Sequence, residues 1–397
     1  MYLSKKFQSV APSSTLAITA KVNELKANGI DVAGFGAGEP DFNTPKHISD
    51  AAIKAINEGF TRYTPASGTK ELKAAVVEKF KRDNGLSYGI ENIVISNGAK
   101  HSLMNALGVV LNPGDEVIIP TPCWVSYPEM VKLNDGVPVL LKASEEEGFI
   151  VSAERIASAI TDKTRAIIIN TPSNPTGMIY SEEELLKIAK LCVEKNIYVI
   201  SDEIYEHLIY GDTKHVSIAS LGDEIKDLTI VINGVSKTYA MTGWRIGYTA
   251  SNATLAKAMS SVQSHATSNP NSIAQKAAQA ALNGPMQEVL SMKAEFEKRR
   301  NYMVERINKM NKVSCLMPQG AFYVMMSIKE LFGKSINGKA IKDSGSFAEI
   351  LLDEALVSVV PCKDFDTDEY VRWSYATSME TIKKGLDRLE EFLNKLS

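Results

Sequence analysis

Apolar and polar positions follow two different periods along this chain, and the switches between them divide it into segments. Between Pro45 and about Ala250, short apolar runs bounded by turn residues alternate with longer segments whose apolar residues fall at helical spacing. HISDAAIKAINEG and ELKAAVVEKFKRDNG read as helices, NIVIS as a strand, HSLMNALGVVL as a helix and EVIIP as the next strand. GVPVLLK, AIIIN, IYVIS and LTIVIN continue the strands, and IGYTA is a further short apolar run. Helices are predicted near Ala153 to Ile160 and from Ser181 to Lys195, where Ser181 and Glu184 stand at capping-box spacing. Repeated βα units of this kind predict an α/β fold with a mostly parallel sheet.

The flanks read differently. A helix is predicted over Leu16 to Asn28 with Gly29 as its stop, followed by VAGFGAGEPDFNTP, whose glycines and prolines predict irregular backbone. Beyond Gly284, a long helix from Pro285 to Met310 carries Val289, Leu290, Phe296, Met303, Ile307 and Met310 at roughly helical spacing. GAFYVMMSI, LVSVVP and DEYVRWSYATS read as strands, with a helix near Ser346 to Glu354 between the first two. A last helix is expected to be capped by Thr377 and Glu380 and to bury Ile382, Leu386, Leu389, Phe392 and Leu396. Fewer strands among more helices mark an α+β unit. We therefore expect a large domain over residues 44–284 and a smaller one built from 1–43 and 285–397.

Composition narrows the class without changing this picture. The 397 residues are 44% hydrophobic and 23% charged, as in an ordinary globular protein. A net charge of -3 with no basic block gives no reason to expect nucleic acid or an anionic membrane as partner. No apolar run approaches the ~18 residues of a spanning helix, and a cytoplasmic location is expected. The four cysteines show no CxxC spacing and the five histidines no ligand pattern, so neither a disulfide framework nor a metal is expected.

Candidate chemistry gathers at the ends of the strands. LTIVIN runs through Gly234 to Ser236 and Lys237, with Arg245 shortly after; a lysine there is either a solvated loop residue or the attachment point of an aldehyde cofactor, with the arginine on its phosphate. NIVIS leads into Gly98, Ala99 and Lys100, which form either a tight connection or an anion cup at a helix start. EVIIP leads to Trp124, a core residue or a flat stacking surface. AIIIN leads to Asn174, held between two prolines, and IYVIS ends on Asp202 with Tyr205 close behind. A carboxylate at the end of a buried strand needs a partner, structural or functional. Gly38 is either a turn residue or a place where backbone approaches a ligand. All but Gly38 fall at the sheet edge where α/β folds bind ligands.

The motifs AGEPDFNTP, RYTPASG, PCWVSYPEM, TPSNPTG, SDEIYEHL, SKTYAMTGWRIGY, PQGAFYV and VRWSYATS run in order from about Gly38 to Ser378. In them the chain resembles the fold-type I pyridoxal 5′-phosphate (PLP) aminotransferases of class I/II, and most closely their bacterial type Ib aspartate aminotransferase subgroup. The resemblance implies the PLP-dependent transferase fold: a large domain with a mostly parallel mixed sheet containing one antiparallel strand, a smaller α+β domain, and a homodimer with shared active sites. It makes Lys237 the covalent attachment point and proton shuttle, Asp202 the partner of the pyridine nitrogen, Tyr205 and Asn174 donors to the phenolic oxygen, and Trp124 the ring stacker. Arg245, Gly98, Ala99 and Lys100 would hold the phosphate, Tyr63 reaching it from the other subunit. Ser236 is a further phosphate candidate, because the serine many relatives carry three residues before the lysine is Gly234 here. Arg372 would grip the substrate α-carboxylate with Gly38 and Asn174, while Thr15 and Lys100 match positions associated with a distal carboxylate. The function implied is transfer of the amino group of L-aspartate to 2-oxoglutarate by a ping-pong mechanism. Prephenate is less expected, since Ala11 stands where relatives that accept it tend to carry a basic residue. Other readings are an aminotransferase for aromatic amino acids, alanine or prephenate, a PLP-dependent lyase, and a non-catalytic ligand sensor; sensors usually carry a fused DNA-binding module, for which no spare segment is seen.

Overall fold

The computed structural model describes residues 2, 4–8, 10 and 14–397, with the side chains of 5, 7, 14–17 and 19 outside that set. Seven strands form the main sheet: β1 Ile93–Ser96, β2 Glu116–Thr121, β3 Val137–Lys142, β4 Thr164–Asn170, β5 Tyr198–Asp202, β6 Thr229–Gly234 and β7 Gly247–Ala250. Their spatial order is β1-β7-β6-β5-β4-β2-β3. β7 is antiparallel to both neighbours and every other pairing is parallel, so the sheet is mixed with one reversed strand, as expected. β1 and β6 are buried along their whole length, and β4 and β5 nearly so. Strands covered by helices on both faces need apolar side chains in both directions, hence the unbroken runs IVIS and TIVIN.

Parallel strands deliver their carboxyl ends to one edge. β1, β2, β4, β5 and β6 therefore bring Asn97, Pro122, Thr171, Glu203 and Val235 to a common side. Because β7 is reversed, it reaches the same edge with its amino end, and this is how Arg245 arrives beside the ends of its neighbours.

A smaller antiparallel sheet, β8 Tyr323–Ser327, β9 Val360–Pro361 and β10 Tyr370–Ser374, lies in the order β9-β10-β8. Ala33–Gly34 pairs in parallel with Val357–Ser358, and Phe35 packs on Trp373 with ring centroids 4.6 Å apart. Gly385 admits this contact: a Cβ there would lie 2.3 Å from the Phe35 ring. The core that includes Phe35 and Trp373 gathers residues of the helices Gln287–Asn308, Ser344–Ala355 and Met379–Asn394, and extends to Tyr205 and Leu208 beyond β5.

Two capping expectations are corrected. The last helix is Met379–Asn394 and its cap is Ser378, which accepts from the Thr381 amide, so the helix starts one residue later than a Thr377–Glu380 box requires. Ser181 does accept from the Glu184 amide at 3.2 Å, but Glu184 turns its carboxylate to the Ala153 amide at 2.6 Å and leaves the box half made. The first long helix is Ser14–Ala27 rather than Leu16 to Asn28, and the helix expected from Pro285 to Met310 is Gln287–Asn308.

Behind the sheet edge lies a buried charge network. Lys79 pairs with Glu206, both almost fully enclosed, and Glu206 also accepts from Asn84 and Asn233 at 2.8 Å each. Glu203 accepts from Ser201 at 2.8 Å, from Ser217 at 2.7 Å, and faces His215 at 3.1 Å. Burial alone would raise the Glu206 carboxyl; Lys79 first, then His207 and His215, outweigh that and hold it at about 2.

Candidate active site

A cavity of about 450 Å³ opens at the shared strand-end edge. Its wall includes Gly38, Ala99, Lys100, Trp124, Asn174, Asp202, Tyr205, Ser236, Lys237, Arg245 and Arg372, so the strand-end residues singled out in the sequence converge on one space. Gly98 stands directly behind Ala99 as the N-cap of the helix Ala99–Val110. Tyr63 is not brought there: within one chain its side chain is 91% exposed and outside the cavity wall. The Thr15 side chain lies outside the described residues, as do Ala11 and Pro12.

Lys237 is half-buried and donates to the Gly38 carbonyl at 2.5 Å. Loss of hydration disfavours its ammonium form, and Arg245 and Arg372 add repulsion, against attraction from Glu39 and Asp202. The balance pulls the amine down to about 8.

Asp202 closes β5 and is buried. Its carboxylate accepts from the Tyr127 hydroxyl at 2.6 Å and from the Ile204 amide at 3.2 Å. Burial pushes the carboxyl up to about 6, with those two hydrogen bonds working in the opposite direction.

Arg372 projects from β10 and is also buried. One terminal nitrogen donates to Asn174 Oδ1 at 2.9 Å and the other to the Gly36 carbonyl at 3.2 Å. Its Nε is buried without a partner among the described residues, an orphaned donor on a fork built for bidentate anions. Tyr323 and Phe365 lie against the guanidinium, with ring centroids 4.3 and 5.3 Å from its carbon.

At the opposite end Arg245 adopts a left-handed backbone, φ 58°, and donates to the Thr242 carbonyl at 2.8 Å. Gly98 has φ 86°, and a Cβ there would lie 2.5 Å from an Arg245 nitrogen. Gly247 presses equally close, since its Cβ would stand 2.3 Å from the Ala99 amide nitrogen. The first-turn amides of the Ala99–Val110 helix and the Arg245 guanidinium thus form a cationic cradle. Gly234 has no room for the serine of many relatives without local adjustment, because a Cβ would meet the Ile246 carbonyl at 3.0 Å. Trp124 offers its ring to the cavity, with the Lys100 amine 4.8 Å from the centroid.

Several wall residues escaped the reading of the sequence. Tyr127 follows Trp124 by three, its amide donating to the Trp124 carbonyl at 3.0 Å in the turn that leads into the helix Ser126–Leu133; the motif PCWVSYPEM held the signal. Asn170, the last residue of β4, donates to the Asp202 carbonyl at 3.0 Å and accepts from the Asn174 amide at 2.8 Å. Glu39 accepts from the Thr242 hydroxyl at 2.5 Å. Tyr323 reads in the sequence as one more apolar position of GAFYV, and nothing local distinguishes it.

The donor set fits PLP: a cationic cradle for a phosphate, a buried carboxylate for a ring nitrogen, a flat indole for a ring face, and an amine of lowered basicity at reach of them all. The Arg372 guanidinium on the same wall is a fork of the shape that a second, carboxylate-bearing molecule could use.

Known proteins resemble this chain in sequence and in fold. Residues 30–389 match the family model of the class I and II aminotransferases. The chain is 50% identical to the aspartate aminotransferase of Bacillus subtilis over 397 residues, 100% of both chains. Its fold is similar to the crystal structure of the aspartate aminotransferase of Rhizobium meliloti, with a TM-score of 0.96 and 41% identity over 100% of both chains. It is also similar to the Thermus thermophilus aspartate aminotransferase solved with maleate, at a TM-score of 0.92 and 41% identity over 98% of this chain and 99% of the other. With both its sequence and its fold matched over essentially their whole length, this chain belongs to the class I and II aminotransferases.

Proposed function

We propose that this enzyme transfers the amino group of L-aspartate to 2-oxoglutarate in two half-reactions on PLP. The observation that carries the reading is the placement of Lys237, Asp202 and Arg372 around one cavity, with Asn174 touching the arginine and opening onto the same space. The four-carbon dicarboxylate maleate in the Thermus thermophilus relative supports a dicarboxylic substrate.

When bound, the cofactor supplies an electrophilic carbonyl for the amino group and a conjugated ring that takes up the electron pair left by the departing Cα proton. The residues do the rest. Lys237 Nζ, half neutral near pH 8, is a competent nucleophile for the attachment and, once displaced by substrate, the base that takes the Cα proton. Asp202 would hold a proton at the ring nitrogen, its carboxylate kept oriented by Tyr127. Arg245 and the Gly98–Ala99 turn would anchor the phosphate with Ser236 beside them, and Trp124 would offer its indole to the ring. Tyr205 and Asn174 donate to the phenolic oxygen. Arg372 takes the α-carboxylate bidentately beside Gly38 and fixes Cα over the lysine. Lys100, with Thr15, would meet the distal carboxylate.

We further propose that two copies share each site, Tyr63 of one reaching the phosphate of the other. In support, Ile53 and Ile56 stand exposed one helical turn apart on Lys46–Asn57, a face apolar enough to dock. Division into 44–284 against 1–43 with 285–397 completes the reading. Among the described residues no helix is long and apolar enough to cross a membrane, which is compatible with a cytoplasmic location.

Purified protein with PLP, aspartate and 2-oxoglutarate is expected to form oxaloacetate and glutamate, and Lys237→Ala to lose both the visible absorbance and nearly all turnover. Turnover of alanine or aromatic amino acids without aspartate would overturn the substrate assignment. A Lys237→Ala protein that keeps colour and rate would overturn the site.

A further inference from the structure

Tyr323 touches both ends of the proposed chemistry. It is the first residue of β8, paired in register with Ser374 of β10, and is 1% exposed. Its ring lies against the Arg372 guanidinium at 4.3 Å, while its hydroxyl is 3.1 Å from the Tyr205 hydroxyl. On the same cavity wall the irregular backbone at Gly38 approaches this hydroxyl so closely that a Cβ there would be 3.6 Å away. One side chain therefore connects the arginine proposed for the substrate carboxylate with the tyrosine proposed for the phenolic oxygen.

We propose that Tyr323 is a positioning residue that couples occupation of Arg372 by a carboxylate to the strength of the hydrogen bond Tyr205 offers the cofactor. The inference rests on the aminotransferase reading of Tyr205 and Arg372. A guanidinium against the Tyr323 ring stabilises the negative charge the phenol gains as it gives up its proton, and so makes its O–H the better donor of the pair. Tyr323 then donates to the Tyr205 oxygen, and the Tyr205 proton is left to face the cavity. A carboxylate on Arg372 cancels much of that charge. Tyr323 donates more weakly, Tyr205 becomes the weaker acid, and the phenolic oxygen it serves becomes more basic. Burial raises both phenols above their ordinary value, Tyr205 well above it, so the coupling acts through hydrogen-bond strength and not through ionisation. The charged groups facing the pair are Arg372, Asp202, Glu39 and Lys237, the last with its amine 5.9 Å from the Tyr205 ring centroid.

The test titrates the visible absorbance of the PLP-loaded protein against pH, with and without saturating maleate, in the parent and in Tyr323→Phe. Maleate is expected to move the parent midpoint upward, and the variant to lose at least half of that movement. Maleate affinity, measured by calorimetry, is expected to change less than about threefold, since the ring remains against Arg372. A full maleate-induced shift in Tyr323→Phe overturns the coupling. Phe365→Leu reads the other half independently: it strips one face of Arg372 and leaves the tyrosine pair intact. It should weaken maleate several-fold and keep the parent's shift at saturation; a lost shift there overturns the route through Tyr323. Failure of the parent itself to take up colour or maleate would instead overturn the functional reading beneath the inference.

Discussion

At Lys237 the physics of one amine sets a testable pH dependence. Its proton is held to about 8 in the fold against 10.5 as an ordinary lysine. Between those values the unfolded chain carries a proton that the cofactor-free fold lacks. This group's contribution to stability therefore rises with pH across that window, and its cost is fully present below about 8. Competitive acylation of the cofactor-free protein from pH 6 to 11 is expected to give Lys237 a midpoint near 8, with exposed lysines near ~10.4. A midpoint above 10 for Lys237 would remove the basis for its reactivity. Asp202 offers a second case, since its carboxyl sits at about 6 even with Tyr127 lowering it. Tyr127→Phe deletes that hydrogen bond and is expected to raise the midpoint by roughly one further unit, read by carbon NMR of labelled aspartate. An unmoved midpoint would mean that the 2.6 Å contact contributes nothing. The sequence shows Asp202 and Lys237 because a charged side chain at the end of an apolar strand is conspicuous. Tyr127 and Tyr323 were missed for the opposite reason: an aromatic on a half-buried helix or in a buried strand looks like core, and only its hydroxyl's partner reveals otherwise.

At the scale of elements, periodicity locates six strands of the main sheet, shows the seventh as a short apolar run and finds most helices, because burial on one face or both leaves a pattern in the sequence. Boundaries were less legible where two residues of similar chemistry adjoin. Thr377 and Ser378 both suit an N-cap, and the Thr377–Glu380 spacing favoured the wrong one. Ser378→Ala is expected to cost about 1 kcal/mol in urea unfolding and Thr377→Ala only a few tenths; the reverse ranking would restore the original boundary. The reversal of β7 was implied by family resemblance but not by its own residues, since IGYTA reads the same in either direction. Its direction matters chemically, because it delivers Arg245 to the ligand edge from the start of a strand.

Across the whole molecule, stability draws on the buried network around Glu206. Its carboxyl, held at about 2 against an ordinary 4.5, contributes stability above about 4.5 that is lost as pH falls towards 2. Lys79→Met leaves that carboxylate without its cation and is expected to cost about 3–5 kcal/mol near neutral pH and to move acid unfolding upward. Adding Glu206→Gln should recover part of the loss, and a Lys79→Met protein as stable as the parent would show the pair to be dispensable. Nothing in the sequence announced this pairing, for Lys79 occupies an ordinary helical position and its partner lies past β5. The contact of Phe35 with Trp373 has a consequence for how the protein comes to be made. The segment Ala33–Gly34 leaves the ribosome early, yet its strand partner Val357–Ser358 and the ring that covers Phe35 emerge near the end of synthesis. By then all seven strands of the main sheet have been translated. The large sheet and its lysine can thus assemble while Phe35 waits uncovered and Arg372 does not yet exist. Of the charged side chains on the cavity wall, Arg372 is the last to be made.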